Sequence, residues 1–262
     1  MIRRDFQCRD GRPGWMLIAQ VDHAQLALQL AQHWAEPIGH ARRAHEDLLQ
    51  AIGCHDDGWT PWEQQPRVDR CSGRPIDFTE MSLVEAIIVW RRSIAKAEQK
   101  SFLTAWLVSR HFEALLRRSR WSESDDPKTV NDARNFLDEQ AANQLPWLSR
   151  WQREQPASHT LEVAEAGLFQ LQLFDLLSLW FCCARQDDPL QLEMPSGAML
   201  SLTPEAENRV RVDPWPAETD PFELSVTGRV VPQRRYTALD DLAKTPSQPS
   251  TITWTLLPRN PG

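Results

Sequence analysis

The stretch from about residue 160 to 185 is the most apolar in the chain, yet it carries a carboxylate. Leu168, Leu171, Asp175, Ser178, Leu179 and Cys182 recur at helical spacing and share one face. Asp175 is therefore surrounded by Phe174, Leu176, Leu177 and Leu179 on a helix that has to be buried. An isolated carboxylate in such a place is costly, or it protonates. The fold must bring it a cation, a metal ion or good hydrogen-bond donors, and these have to arrive from elsewhere in the chain.

Two other stretches offer suitable groups. Cys54-His55-Asp56-Asp57-Gly58-Trp59 falls where an amphipathic helix over about 41–54 runs out into a turn. Its inner face is Ala44, Leu48, Ala51 and Ile52, and the same period continues to His55. An earlier helix, about 23–35 with Asp22 as its cap, places His23 on one face with Leu26, Ala27, Leu30 and Trp34. A single inward histidine is more often a satisfied core residue than a ligand. His23, His55, Asp56 and Asp175 together, from three helices, make a set of imidazoles and carboxylates suited to one divalent ion. Manganese, zinc, iron, cobalt, nickel and magnesium are not distinguished by these residues.

The remaining helices are expected at about 80–98, at 101–118 with Arg110 and His111 on its inner face, and at 127–143, with a shorter helix after Pro146. The polar segment 58–78 between them reads as a rim or lid. Its Trp59 either lines a pocket, as a substrate contact, or packs beneath the loop. Runs 2–8 and 15–20 flank a Gly/Pro turn and read as a β-hairpin, which pairs with strands near the C-terminus. After Pro189 the pattern changes to short alternating or β-branched runs at 190–194, 198–202, 208–213, 222–231 and 251–257, with one brief helix at 237–243. The expected organisation is a hairpin (1–20), a helical domain (21–188) and a β-rich C-terminal module (189–262). The fold class is accordingly mainly α: a helical bundle with an N-terminal hairpin and a small β module.

Composition narrows the function. The net charge of −7 over 262 residues, with no basic face, argues against a nucleic-acid polymer as partner. The five cysteines are odd in number and form no CxxC pair, which disfavours a disulfide framework or a thiolate zinc site. No signal-peptide pattern follows Arg3 and Arg4, and the longest apolar run, Leu176 to Ala184, is too short to span a bilayer. A cytoplasmic setting without a membrane partner is the expectation. His33, His40, His45 and His159 read as exposed.

At these residues the chain resembles the HD-domain superfamily of helical metal-dependent phosphohydrolases, whose pattern is H…HD…D. Val21-Asp22-His23-Ala24, His55-Asp56-Asp57-Gly58-Trp59, Ser109-Arg110-His111 and the Asp175 segment are, as a fuller set, similar to one uncharacterised bacterial family recorded as a domain of unknown function. The resemblance implies an HD-like bundle and a small phosphorylated substrate, nucleotide-like in kind. It makes His23, His55, Asp56 and Asp175 the metal ligands. Some HD phosphohydrolases carry a glutamate shortly after the HD pair; here Asp57 is the nearest substitute. Dinuclear members, including iron oxygenases, supply two further histidines, and here His111 is the one inward candidate. The resemblance thus favours one metal ion, with a second possible. Asp57 and His111 are the candidate proton carriers. Arg110 is either a phosphate contact or a helix-to-helix ion pair. The alternatives are a non-catalytic sensor or interaction module, and an iron oxygenase on the same scaffold.

Overall fold

The computed structural model describes residues 1–8, 10–34, 44–183, 188–206, 208–217, 221–237 and 239–258. His40, Pro37 and Gly39, expected at the surface and at a helix end, lie outside the described residues. Strands β1 (Ile2–Gln7) and β2 (Pro13–Ile18) open the chain. Helices α1 (Gln20–His33), α2 (His45–Cys54), α3 (Thr60–Glu63), α4 (Leu83–Glu98), α5 (Phe102–Arg118), α6 (Pro127–Glu154) and α7 (Leu161–Cys182) follow. Strands β3 (Leu190–Glu193), β4 (Met199–Glu205), β5 (Arg209–Asp213), β6 (Phe222–Pro232) and β7 (Gln248–Pro258) complete it, with α8 (Leu239–Lys244) between the last two.

The expected small C-terminal β module on a helical bundle is not what forms. All seven strands join one curled, mixed sheet in the order β1-β2-β6-β7-β5-β4-β3. Neighbours are antiparallel except β5 and β7. The hairpin enters through β2, which pairs Gly14 with Pro232 and Leu17 with Arg229 on β6. The expected pairing of the hairpin with C-terminal strands does form. What alternation along the strands did not carry is that all seven make one large sheet rather than an appendage to a bundle.

A single apolar core joins the sheet to the helices. It takes in Met16 and Ile18 of β2, Leu26 and Leu30 of α1, Phe174 and Phe181 of α7, and Leu224 and Trp254 of β6 and β7. The alternate residues of β2, Trp15 and Leu17, face a second cluster with Trp59, Trp62 and Tyr236. Both faces of β2 are thus covered. Helix α1 lies against β6, where the Gln29 amide donates to the Ser225 carbonyl and accepts from the Ser225 N–H, each at 3.0 Å.

Two local expectations are corrected. Asp22 sits in the first turn of α1 but does not cap it; Ala19 precedes the helix. The strand runs almost directly into the helix, and the Gln20 N–H is taken by Glu63 Oε1 at 2.7 Å, so a distant carboxylate replaces the local cap. Helix α6 does not break at Pro146 but runs unbroken for 28 residues. Pro146 and Ala142, whose carbonyl loses its N–H partner, are both exposed, so water can satisfy that carbonyl.

Candidate metal centre

His55 is the residue at which α2 ends, still in helical conformation (φ −56°, ψ −28°), while Asp56 has left it (φ −104°, ψ 14°). That change lets adjacent side chains turn into the same space. A tight turn over Asp57–Trp59 follows. Gly58 is what brings this turn onto α4: a Cβ there would lie 2.2 Å from the Val89 carbonyl oxygen and 2.4 Å from the Ser93 N. Its N–H donates to Ser93 Oγ at 3.0 Å.

His23 from α1, His55 and Asp56 from the end of α2, and Asp175 from α7 converge. His23 Nε2 is 3.5 Å from Asp56 Oδ2 and 3.2 Å from Asp175 Oδ1. His55 Nε2 is 3.5 and 3.3 Å from the same two oxygens. Nitrogen and oxygen donors therefore alternate around a closed ring. Donors about 2.1 Å from a common ion would be spaced about 3.0 Å apart in an octahedron and about 3.4 Å in a tetrahedron. Two of the four observed separations, 3.2 and 3.3 Å, fall in that range and the other two, at 3.5 Å, lie just above it. His111 of α5 adds a third imidazole, with Nε2 3.8 Å from Asp175 Oδ2. Two overlapping groups, His23-His55-Asp56 and His55-His111-Asp175, could each hold a metal ion.

Hydrogen bonds aim the donors. His55 Nδ1 is 2.7 Å from the Ile52 carbonyl, which only accepts, so Nδ1 carries the hydrogen and Nε2 faces the ring. His55 Nε2 is buried and faces Asp175 Oδ1 at 3.3 Å. Trp59 Nε1 donates to Asp56 Oδ1 at 3.0 Å, leaving Oδ2 toward both histidines. A hydrogen bond placed behind a ligand in this way fixes its orientation toward the ion.

The charges also ask for a cation. Asp56 and Asp175 are largely buried, and among the described residues their ion-pair partners are histidines, with no lysine or arginine. Burial pulls His23 down to about 3 and His111 down to about 4, so both are neutral near pH 7. Burial pushes Asp56 up to about 7. For His55 burial also acts against the charge, but Asp56 and Asp175 outweigh it and raise the group to about 9. Burial works against Asp175 too, and the hydrogen bond from His55 and the neighbouring imidazoles bring it down to about 2. Two carboxylates and three imidazoles suit a divalent ion, which would replace the proton that otherwise holds His55 and Asp175 together.

His23, Asp56, His111 and Asp175 line a cavity of about 650 Å³, together with Trp59. Asp57 is not among its lining residues; its carbonyl accepts from Lys96 Nζ at 2.8 Å and from the Thr60 hydroxyl at 3.1 Å. Arg110 is also outside it, ion-paired with Glu113 at 2.8 Å and lying over the Trp106 ring. The neighbouring Ser109 is tied to α6, where its hydroxyl donates to Gln140 and accepts from Gln144. His159, expected at the surface, is buried, because it stacks on Trp151 with ring centroids 4.1 Å apart and bonds the Trp151 carbonyl.

Sequence reasoning missed Gln20, which lines the cavity with its Oε1 buried and unpartnered, because its position read as strand. It also missed Glu63, a buried carboxylate on the short helix after the turn, inside what read as polar loop. Trp90, Phe112 and Trp121 of the cavity wall were not singled out from the sequence at all.

The architecture and this centre define a class: helices packed on a curled mixed sheet, with three histidines and two aspartates converging among the helices and four of the five lining a cavity. The chain belongs to the family described as Protein of unknown function (DUF3891), which matches residues 6–233. No curated protein and no solved structure matches the chain. Among the described residues, no helix is long and apolar enough to cross a membrane.

Proposed function

We propose that the protein is a metal-dependent hydrolase of the HD-domain type, acting on a small phosphoester. The observation that carries this reading is the closed ring of His23, Asp56, His55 and Asp175, spaced as neighbouring ligands of one ion. A divalent ion bound there supplies a water of lowered pKa and polarises a phosphoryl oxygen. The chain does the rest. Trp59 fixes Asp56, the Ile52 carbonyl fixes the tautomer of His55, and the helices keep solvent from the floor. His111, neutral and lining the cavity, is within reach of a reacting group and is the best-placed residue to take up or return a proton. Asp57 and Arg110 are left without a direct role, since neither lines the cavity.

The test is elemental analysis of the purified protein, followed by a phosphatase and phosphodiesterase panel with manganese, cobalt, nickel or magnesium. About one divalent ion per chain is expected, with turnover abolished in Asp56→Ala. Failure to retain or bind any ion would sink the proposal. An ion without turnover would leave a non-catalytic sensor as the better reading.

A second reading follows from the His55-His111-Asp175 group. Two ions would then share the site, as in an iron oxygenase. Iron loading under anaerobic conditions, with two irons per chain and an absorption band on exposure to oxygen, would favour it over hydrolysis.

A further inference from the structure

The walls of the cavity above the histidine–aspartate floor are mainly aromatic and aliphatic, with the hydroxyl-bearing Thr79, Ser119, Ser124 and Thr129 among them. Trp90 stacks on Phe112 with centroids 5.4 Å apart and planes inclined by 18°, and both rings line the cavity. Trp121, Met81, Leu115 and Leu179 also line it. Among the described lining residues, Arg120 is the one lysine or arginine. Its side chain is 85% exposed and lies 3.9 Å from Glu123. The nearby start of α6 is no anion receptor either. The Asp126 carboxylate already accepts from the N–H groups of Lys128 and Thr129, at 3.1 Å each.

A polyanion therefore finds little here to pair its charges. Phosphates beyond the first would lie against aromatic rings, where an uncompensated charge is costly. Polyphosphate sites gather several arginines, lysines or free helix N-termini. An apolar body gains instead, since it removes this wall from water along with its own surface.

We infer that the cavity selects ligands with one oxyanionic head, held at the histidine–aspartate floor, and an apolar aromatic body, and that it discriminates against polyphosphates. The head group rests on the metal-dependent reading above; the body is argued from the walls alone.

The experiment is calorimetric binding of methylphosphonate, benzylphosphonate and 1-naphthylmethylphosphonate to manganese-treated protein. Tripolyphosphate, added with equimolar manganese, is the polyanion control. Affinity is expected to rise about tenfold or more from the methyl to the naphthylmethyl compound, with tripolyphosphate no tighter than methylphosphonate. Trp121→Ala should reduce the naphthylmethyl advantage to about threefold or less, because it removes part of the wall. The same ranking in chelator-treated protein shows that the body is recognised apart from the ion.

The outcomes separate this inference from the hydrolase reading. If the ranking holds but no aryl phosphate is hydrolysed with any ion, the hydrolase reading falls and the selectivity stands. Tripolyphosphate binding tighter than the naphthylmethyl compound overturns the selectivity, whether or not the protein is a hydrolase. A flat series, or no binding at all, also overturns it.

Discussion

The proton on His55 and the one on Asp56 stand where a metal ion would sit. Asp56 is raised to about 7 by burial, and His55 to about 9 by Asp56 and Asp175 against the effect of burial. A ligand must be deprotonated to bind, so uptake of an ion expels whichever protons these groups hold. His23 at about 3 and His111 at about 4 are already empty near neutrality. Below pH 7 uptake should release about two protons, between pH 7 and 9 about one, and above pH 9 none. Apparent affinity therefore rises with pH, by ~100-fold per unit below 7 and ~10-fold per unit from 7 to 9, then levels off. Calorimetry in buffers of different ionisation heat, at pH 6 and pH 8, counts these protons directly; equal counts of zero would show that the two groups are not protonated partners. The same centre predicts a role for Trp59. In Trp59→Phe the ring remains but the donor to Asp56 Oδ1 is gone, and affinity for manganese should fall ~10- to 100-fold in a chelator competition. An unchanged affinity would mean that Asp56 is oriented by something else.

The turn after α2 works only because its glycine touches the backbone of α4. The atoms that a Cβ at Gly58 would meet at 2.2 and 2.4 Å belong to a helix main chain and cannot swing aside. Gly58→Ala should destabilise the fold by ~3 kcal/mol or more, read from chemical denaturation. Ser93→Ala, which removes the acceptor for the Gly58 N–H, should cost only ~1 kcal/mol. A Gly58→Ala protein within ~1 kcal/mol of the parent would show that the turn does not press on α4. At this scale the sequence was readable where a period or a local signal exists. Asp126-Pro127 starts α6 as expected, and the inward faces of α1, α2, α5 and α7 pointed to His23, His55, His111 and Asp175. It was unreadable where the deciding partner is remote. Ala19 needs no polar cap because Glu63 reaches the Gln20 N–H, and α6 passes through Pro146 because that side faces water. Trp15–Ile18 was legible as a hairpin strand, but with both faces covered no alternation survives to show which residues face which core.

At the scale of the whole molecule, the sheet and the candidate metal centre meet in one helix. Helix α1 turns His23 toward Asp56 and Asp175 while Gln29, two turns along, is bonded to both backbone groups of Ser225 on β6. The core that buries Leu26 and Leu30 of α1 continues without a break into Leu224 and Trp254. A chain ending at residue 188 would lose β3 to β7, five of the seven strands, and retain only the β1–β2 hairpin, which is marginal without neighbours. The side of α1 that packs on β6 would then face water, and His23 would keep its α2 and α7 neighbours but lose the sheet that holds α1 in register. Residues 1–188 are therefore expected to keep much of their far-ultraviolet helical signal but to lose the near-ultraviolet signal of the packed tryptophans, to melt without a cooperative transition, and to bind manganese at least ~100-fold more weakly than the full chain. A cooperative melt with full metal affinity would mean that the helices are an independent domain, and that the sheet serves some purpose other than holding the centre in register. The sheet is thus as much a part of the candidate site as the residues that face it, although none of its strands supplies a ligand to the ring.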